Sequence, residues 1–319
     1  MKIFCAIAAA ALAFTVQAQE QQYPNKPIHL IVPLTPGSGA DIAGRIIAQR
    51  LNEHWKQPVV VENRPGAGGQ IGTAAVVKAD PDGYTLLVQS SSHAANPAIY
   101  KALPYDPLKD IADVAILGKT PYVMVSAGNG PYKSLKQLID SAKAKPGELA
   151  FASAGVGTST HLAAEFVVAL AGLKMIHVPF KGSPDAIQDV LGGRSTFYMA
   201  PLDVAMGLVK DKKLAGLGMS TKKRVDLLPE VPTIAEQGLY DYEMTLWFGM
   251  WAPAATPIPI VQKLNAAINA IVLEPVVKEQ FAKLGIDPAP MKTDEFGKFV
   301  REQMVFYKQI VRVANIPQQ

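Results

Sequence analysis

The chain has 319 residues, 49% hydrophobic and 18% charged, with a formal charge of +4. That length allows two ordinary domains or one large one. Its lysines and arginines are scattered, with only short clusters such as Lys222-Lys223-Arg224, which excludes the concentrated basic stripe of a nucleic-acid binder.

The first residues stand apart from the rest. Met1-Lys2 is a minimal basic start, Ile3 to Val16 is an uncharged apolar run, and Val16-Gln17-Ala18 offers small residues for cleavage. Residues 1–18 therefore read as a secretory signal peptide, with an uncleaved anchor as the alternative. Cys5 is the only cysteine, so the mature chain would rest on its core without disulfides. No later stretch approaches the roughly 20 apolar residues that cross a bilayer. An exported protein of a cell-envelope space such as the periplasm is expected.

From residue 28 onward strands and helices alternate. Ile28–Leu34 is an apolar run ending in Pro-Gly, and Asp41–Trp55 repeats apolar residues with helical spacing. Val59–Val61 reads as a strand, Arg64–Gly72 as a glycine-rich surface turn, Thr73–Lys78 as a short helix and Thr85–Gln89 as a strand. The pattern restarts after Thr120-Pro121 with a strand over Tyr122–Ser126. Ser134 then caps a helix, with Gln137 completing a capping box. Leu149–Ser153, Met175–Phe180, Phe197–Ala200 and Leu214–Met219 follow as strands between helical segments. Ser183-Pro184 and Thr256-Pro257 are helix starts with proline at the first position. Beyond Trp247-Phe248-Gly249 the chain is expected to be mainly helical, and Trp247 and Phe248 themselves to be core or hinge. Alternation of this kind predicts an α/β fold with a mostly parallel sheet. Two such sets predict two lobes, with crossings near 120–124 and 243–247 and the terminal helices returning to the first lobe.

Two junctions bear on function. Residues 31–45, IVPLTPGSGADIAGR, and residues 151–165, FASAGVGTSTHLAAE, both run from a strand through glycines and hydroxyls into a helix. A helix start leaves N–H groups unpartnered and carries partial positive charge. Glycines let a ligand approach that backbone closely. Each junction can be a tight structural connection or half of an anion clamp. Gly37-Ser38-Gly39 lacks the third glycine of a dinucleotide fingerprint, and no Gly-Lys-Ser/Thr phosphate loop occurs. No G-x-S-x-G is present, and the five histidines form no metal-ligand spacing. His161 and Glu165 lie one helical turn apart, more as a supporting contact than as ligands. Ser90-Ser91-Ser92-His93 reads as an uncharged wall at a strand end, and Lys181 as an anion contact or a solvated lysine.

The ordered motifs Val32-Pro33 with Pro36-Gly37 and Asp41, VENRPGAGG at 61–69, PDGYTLL at 81–87, LPYDP at 103–107, ASAGVGTSTHLAAE at 152–165, HVPFKG at 177–182, LLPEVPT at 227–233 and WFG at 247–249 carry a resemblance. The chain resembles the Bug family of extracytoplasmic solute receptors, associated with tripartite tricarboxylate transport, over nearly its whole mature length. The resemblance implies a two-lobed periplasmic-binding-protein fold of type II-like, Venus-flytrap form, with the second lobe inserted in the first. Lobe 1 would comprise 19–122 and 246–319, and lobe 2 123–245. It implies a monomeric, non-catalytic receptor without cofactor or metal. The ligand would be a small di- or tricarboxylate, acidic amino acid or aromatic acid, passed to membrane transporter subunits. A ligand-sensing partner of a signalling receptor, or a cleft hydrolase or transferase, are the alternatives. The matching binding positions are Thr35, Gly37, Ser38, Gly39 and Asp41; Ser90, Ser91 and His93; and Ala154, Gly155, Gly157, Thr158, Ser159 and His161, with Lys181 added. The chain departs from the family pattern at Ala40, which lacks a common hydroxyl, at Ser195-Thr196, where an acid is usual, and at His29, where a basic residue is common.

Overall fold

Ile-His-Leu-Ile-Val at 28–32 is buried almost end to end, as expected of a strand covered on both faces. In the computed structural model, which describes residues 23–319, this strand (β1) pairs in parallel with β2 (Val59–Asn63) and β3 (Thr85–Ser90). The signal-peptide reading lies outside the described residues. Helix α1 (Gly39–Trp55) provides the crossover that a parallel pair requires, burying Ala43, Ile47, Ala48 and Leu51. Helix α2 (Gln70–Val77) follows a 3-10 turn at Ala67–Gly69, and α3 (Ser92–Ile99) follows β3.

Two elements go beyond the sequence expectation. The strand expected at Tyr122–Ser126 is the end of a 17-residue strand, β4 (Ile111–Ala127). The Trp247-Phe248-Gly249 segment, expected to open a helical region, is the middle of strand β9 (Thr245–Pro253). Residues 111–121 of β4 pair antiparallel with β9, which in turn pairs with β3. Residues 122–127 of β4 instead pair with β7 (Phe197–Pro201) and β8 (Leu214–Met219). Strands β7, β5 (Ala150–Ser153) and β6 (Ile176–Pro179) complete the second sheet in parallel. One strand thus belongs to both sheets and passes between them at Pro121-Tyr122.

Helices α4 (Leu135–Ala144), α5 (Ser159–Leu170), α6 (Ser183–Leu191) and α7 (Leu202–Lys210) cover the second sheet. The apolar faces of α6 and α7 build a separate cluster with Val123, Ala152, Tyr198 and Leu214 of the sheet, whereas Leu138 of α4 and Leu162 of α5 join the main core. The terminal helices α8 (Ile258–Ile271), α9 (Pro275–Leu284) and α10 (Thr293–Val313) do more than return to the first sheet. Helix α10 packs on α3 and β4 and also reaches α5, while α9 rests on α7. Among the described residues no single helix is long and apolar enough to cross a membrane.

Candidate functional site

The first junction turns through Thr35-Pro36-Gly37-Ser38 into α1. Gly37 adopts φ +78°, a left-handed conformation that favours glycine. Its N–H donates to Asp41 at 2.9 Å, Asn63 Nδ2 donates to the same carboxylate at 2.9 Å, and Arg45 Nε donates to it at 3.0 Å. Burial alone would raise the Asp41 carboxyl, but these hydrogen bonds outweigh it and hold it below the usual range. Asp41 is therefore a brace of the turn, away from the cavity lining. The hydroxyls of Ser38 and Thr35 are buried without a protein partner.

The second junction is built without charge. Gly155 and Gly157 take φ +130° and +76°. The Ala154 N–H donates to Thr160 Oγ1 at 3.0 Å, the Gly155 N–H to Ser153 Oγ at 3.1 Å, and the His161 N–H to Thr158 Oγ1 at 3.3 Å. His161 is buried behind this loop and stacks on His177 with centroids 4.0 Å apart. His177 accepts or donates a 2.6 Å hydrogen bond with Ser153. Burial, reinforced by His161, pushes the His177 imidazole down to about 3, so it stays neutral.

A third segment, Ser90 to Ser92, joins them. Ser90 Oγ donates to Ser92 Oγ at 2.9 Å, and the backbone N–H of Ser159 donates to Ser92 Oγ at 3.0 Å. That bond ties the start of α3 to the start of α5 across the cleft. Around it lies a cavity of about 20 Å³, room for about one water molecule. Leu34, Ser38, Gly39 and Ala40 line it from the first junction, and Ala154, Thr158, Ser159 and Thr160 from the second. Ser90, Ser92, Leu246, Phe248, Ser183 and Pro201 close the remaining walls. The lobes press together here: a Cβ on Gly39 would lie 2.4 Å from Asp203 Oδ2, and one on Gly157 2.4 Å from the Tyr100 ring. A molecule larger than water can enter only when they separate.

Several expected positions lie elsewhere. Ser91 is buried with its hydroxyl directed toward the phenols of Tyr122 and Tyr307. His93 points into the first lobe, its ring tilted 38° against Trp251 with centroids 4.4 Å apart, and burial pushes it down to about 4. The cause is local: a helix begins at Ser92, and each residue rotates about 100° from the last, so the residue after the wall faces inward. Lys181 is exposed at the rim of an adjoining opening of about 230 Å³, which it shares with Gly155, Val156 and the glycines at 66–69. Those glycines are more than a surface turn. Gly68 sits so close to the Val156 carbonyl that a Cβ would approach it to 2.5 Å. Phe248, expected to be core or hinge, is a cavity wall, whereas Trp247 is core with its Nε1 donating to Gln303. Ser183, Pro201 and Asp203 were not singled out as site residues, and of these only Ser183 had a local signal, the helix start Ser183-Pro184. Ser92 belongs to the Ser90–His93 wall already expected there. Among the described residues no group of three or more His, Cys, Asp or Glu could hold a metal ion.

Two α/β sheets sharing a crossing strand, with facing helix starts around an interlobe cavity, define a two-lobed binding protein of the periplasmic-binding-protein class. A family model for the tripartite tricarboxylate transporter family receptor matches residues 43–316. The chain belongs to that family of solute-binding receptors. It is 36% identical to protein BugT of Bordetella pertussis over 308 residues, covering 96% of this chain and 94% of BugT. Among solved structures, R. palustris Rpa4515 with adipate superposes with a TM-score of 0.90 at 29% identity, over 93% of this chain and 100% of that one. MatC from Rhodopseudomonas palustris with bound malate gives 0.87 at 28% identity, over 91% and 100%.

Proposed function

We propose that this protein is a periplasmic, non-catalytic receptor for a small organic carboxylate, serving a tripartite-type membrane transporter. In this reading residues 19–122 with 246–319, and residues 123–245, are the lobes that close on the ligand. The observation that carries it is the pair of helix starts, α1 and α5, one from each sheet, whose Ser38–Ala40 and Thr158–Thr160 segments line one cavity. Helix N-termini attract anions, and N–H and hydroxyl donors hold a carboxylate reversibly. The adipate bound to Rpa4515 and the malate bound to MatC support that ligand class. The leader-like residues 1–18 support export.

The polar groups also favour carriage over catalysis. The one serine–histidine contact near the site, Ser153 with His177, is spent on bracing the loop: Ser153 Oγ accepts the Gly155 N–H, and His177 is a poor base.

The test is thermal unfolding of the purified mature chain against a panel of organic acids, with native mass spectrometry for retained acids. A true ligand at about 100 times its dissociation constant should add about 2.7 kcal/mol. A panel in which no acid stabilises the protein, and no acid co-purifies, overturns the reading.

A further inference from the structure

Asp203 is the feature the family reading does not absorb. It stands in the first turn of α7, is 8% exposed, and neither carboxylate oxygen has a hydrogen-bond partner in another residue. Its carboxylate crosses the cleft to the first lobe, where Oδ2 lies against Gly39 at the start of α1, next to the Phe248 ring. Gly39 and Phe248 both line the cavity. No lysine, arginine or histidine lines it, and the lysine of the adjoining opening, Lys181, is exposed at its rim.

An unpaired carboxylate in such a place is costly unless something supplies a donor. Burial pushes the Asp203 carboxyl up to about 7, and the phenol of Tyr198, itself donating to Ser183, is the other titratable group that feels it. The start of α5 can satisfy one ligand carboxylate, while Asp203 stands beside Gly39 at the start of α1. A second ligand carboxylate there would meet the Asp203 carboxyl in place of a free helix start, whereas an ammonium would complete the pair.

We propose that Asp203 makes this receptor select zwitterionic amino acids, in which an ammonium group meets Asp203 beside the start of α1 while the carboxylate meets the start of α5. The proposal rests on the carboxylate-receptor reading and sharpens its ligand class, away from the dicarboxylates bound by Rpa4515 and MatC.

The experiment is isothermal titration at neutral pH with matched pairs that differ only in the terminal group. These are malonate against β-alanine, succinate against γ-aminobutyrate, glutarate against δ-aminovalerate and adipate against ε-aminocaproate. At the best-bound chain length the amino acid should bind about tenfold to a hundredfold more tightly than its dicarboxylate, the range of a charge-assisted hydrogen bond. Asp203→Asn and Asp203→Ser should erase or reverse that preference. Thermal unfolding of both variants, read without ligand, checks that they fold. Tighter binding of the dicarboxylates, or a preference that survives both substitutions, overturns the role of Asp203 while leaving the carboxylate reading intact. Binding of neither class overturns both.

Discussion

The two strand-to-helix junctions reach the same cavity by different chemistry. Their backbones are nearly superposable at the helix start: Ser38 has φ −73° and ψ 157°, and Thr158 has φ −74° and ψ 158°. Yet the first is held by an ion, Asp41, which gathers Gly37, Arg45 and Asn63, while the second is held by hydroxyls and a pair of stacked imidazoles. A charge used as a brace need not sit in the cavity. Asp41 stabilises its turn from behind and leaves the lining of both junctions neutral.

The charged brace should be the more costly to remove. Asp41→Ala deletes a buried carboxylate, 4% exposed, that accepts from three residues, although Arg45 remains half-solvated. The expected loss is about 2–4 kcal/mol, since each hydrogen bond to a charged group contributes roughly 1.5–3 kcal/mol and they are not additive. Denaturant unfolding measures it. The sign with pH follows from the lowered carboxyl: the contribution is present above the usual carboxylate range and fades as acid protonates Asp41. A loss below about 1 kcal/mol would make the two junctions equivalent after all.

The neutral brace carries its own acid sensitivity. His177 faces His161, Ser153 and Phe151, and His161 lies 3.5 Å from the Glu165 carboxylate. Because the folded value is held near 3, the unfolded chain takes up a proton first, and stability falls as pH drops below about 6.5. Between pH 7 and pH 4 this group should withdraw about 3 kcal/mol. His177→Phe keeps the stacking, loses the bond to Ser153, and should flatten that slope. An unchanged slope would assign the acid sensitivity elsewhere.

Both junctions were legible in the sequence because glycines, hydroxyls and a following amphipathic run are local signals. The α/β alternation was legible for the same reason. The long strands β4 and β9 were not, because each pairs with different partners on its two edges or along its length. Pro121 and Gly118 inside β4, and the apolar run Leu246–Ala252, give no period-2 alternation to read. The walls contributed by Phe248, Ser183 and Pro201 come from a third set of elements that only the closed sheets bring to the cavity. His93 was the opposite case, a residue with a strong sequential neighbourhood that helix rotation turns toward Trp251.

The smallest effect separates the junctions most cleanly. Thr158 Oγ1 accepts the His161 N–H, an N-cap bond, whereas Ser38 makes no cap bond and its buried hydroxyl has no protein partner. Replacing Thr158 with Ala should therefore cost about 1 kcal/mol in unfolding free energy. Ser38→Ala should leave stability within about 0.5 kcal/mol, because no bond within the protein is lost. Ligand affinity should reverse the ranking. Ser38 lines the cavity with a donor free for a carboxylate, and its loss should weaken binding about fivefold, or about 1 kcal/mol. Titration and thermal unfolding of the same two variants read both quantities. If Ser38→Ala destabilised the protein as much as Thr158→Ala did, its hydroxyl would be a cap in solution, and the first junction would hold its ligand by backbone N–H groups alone.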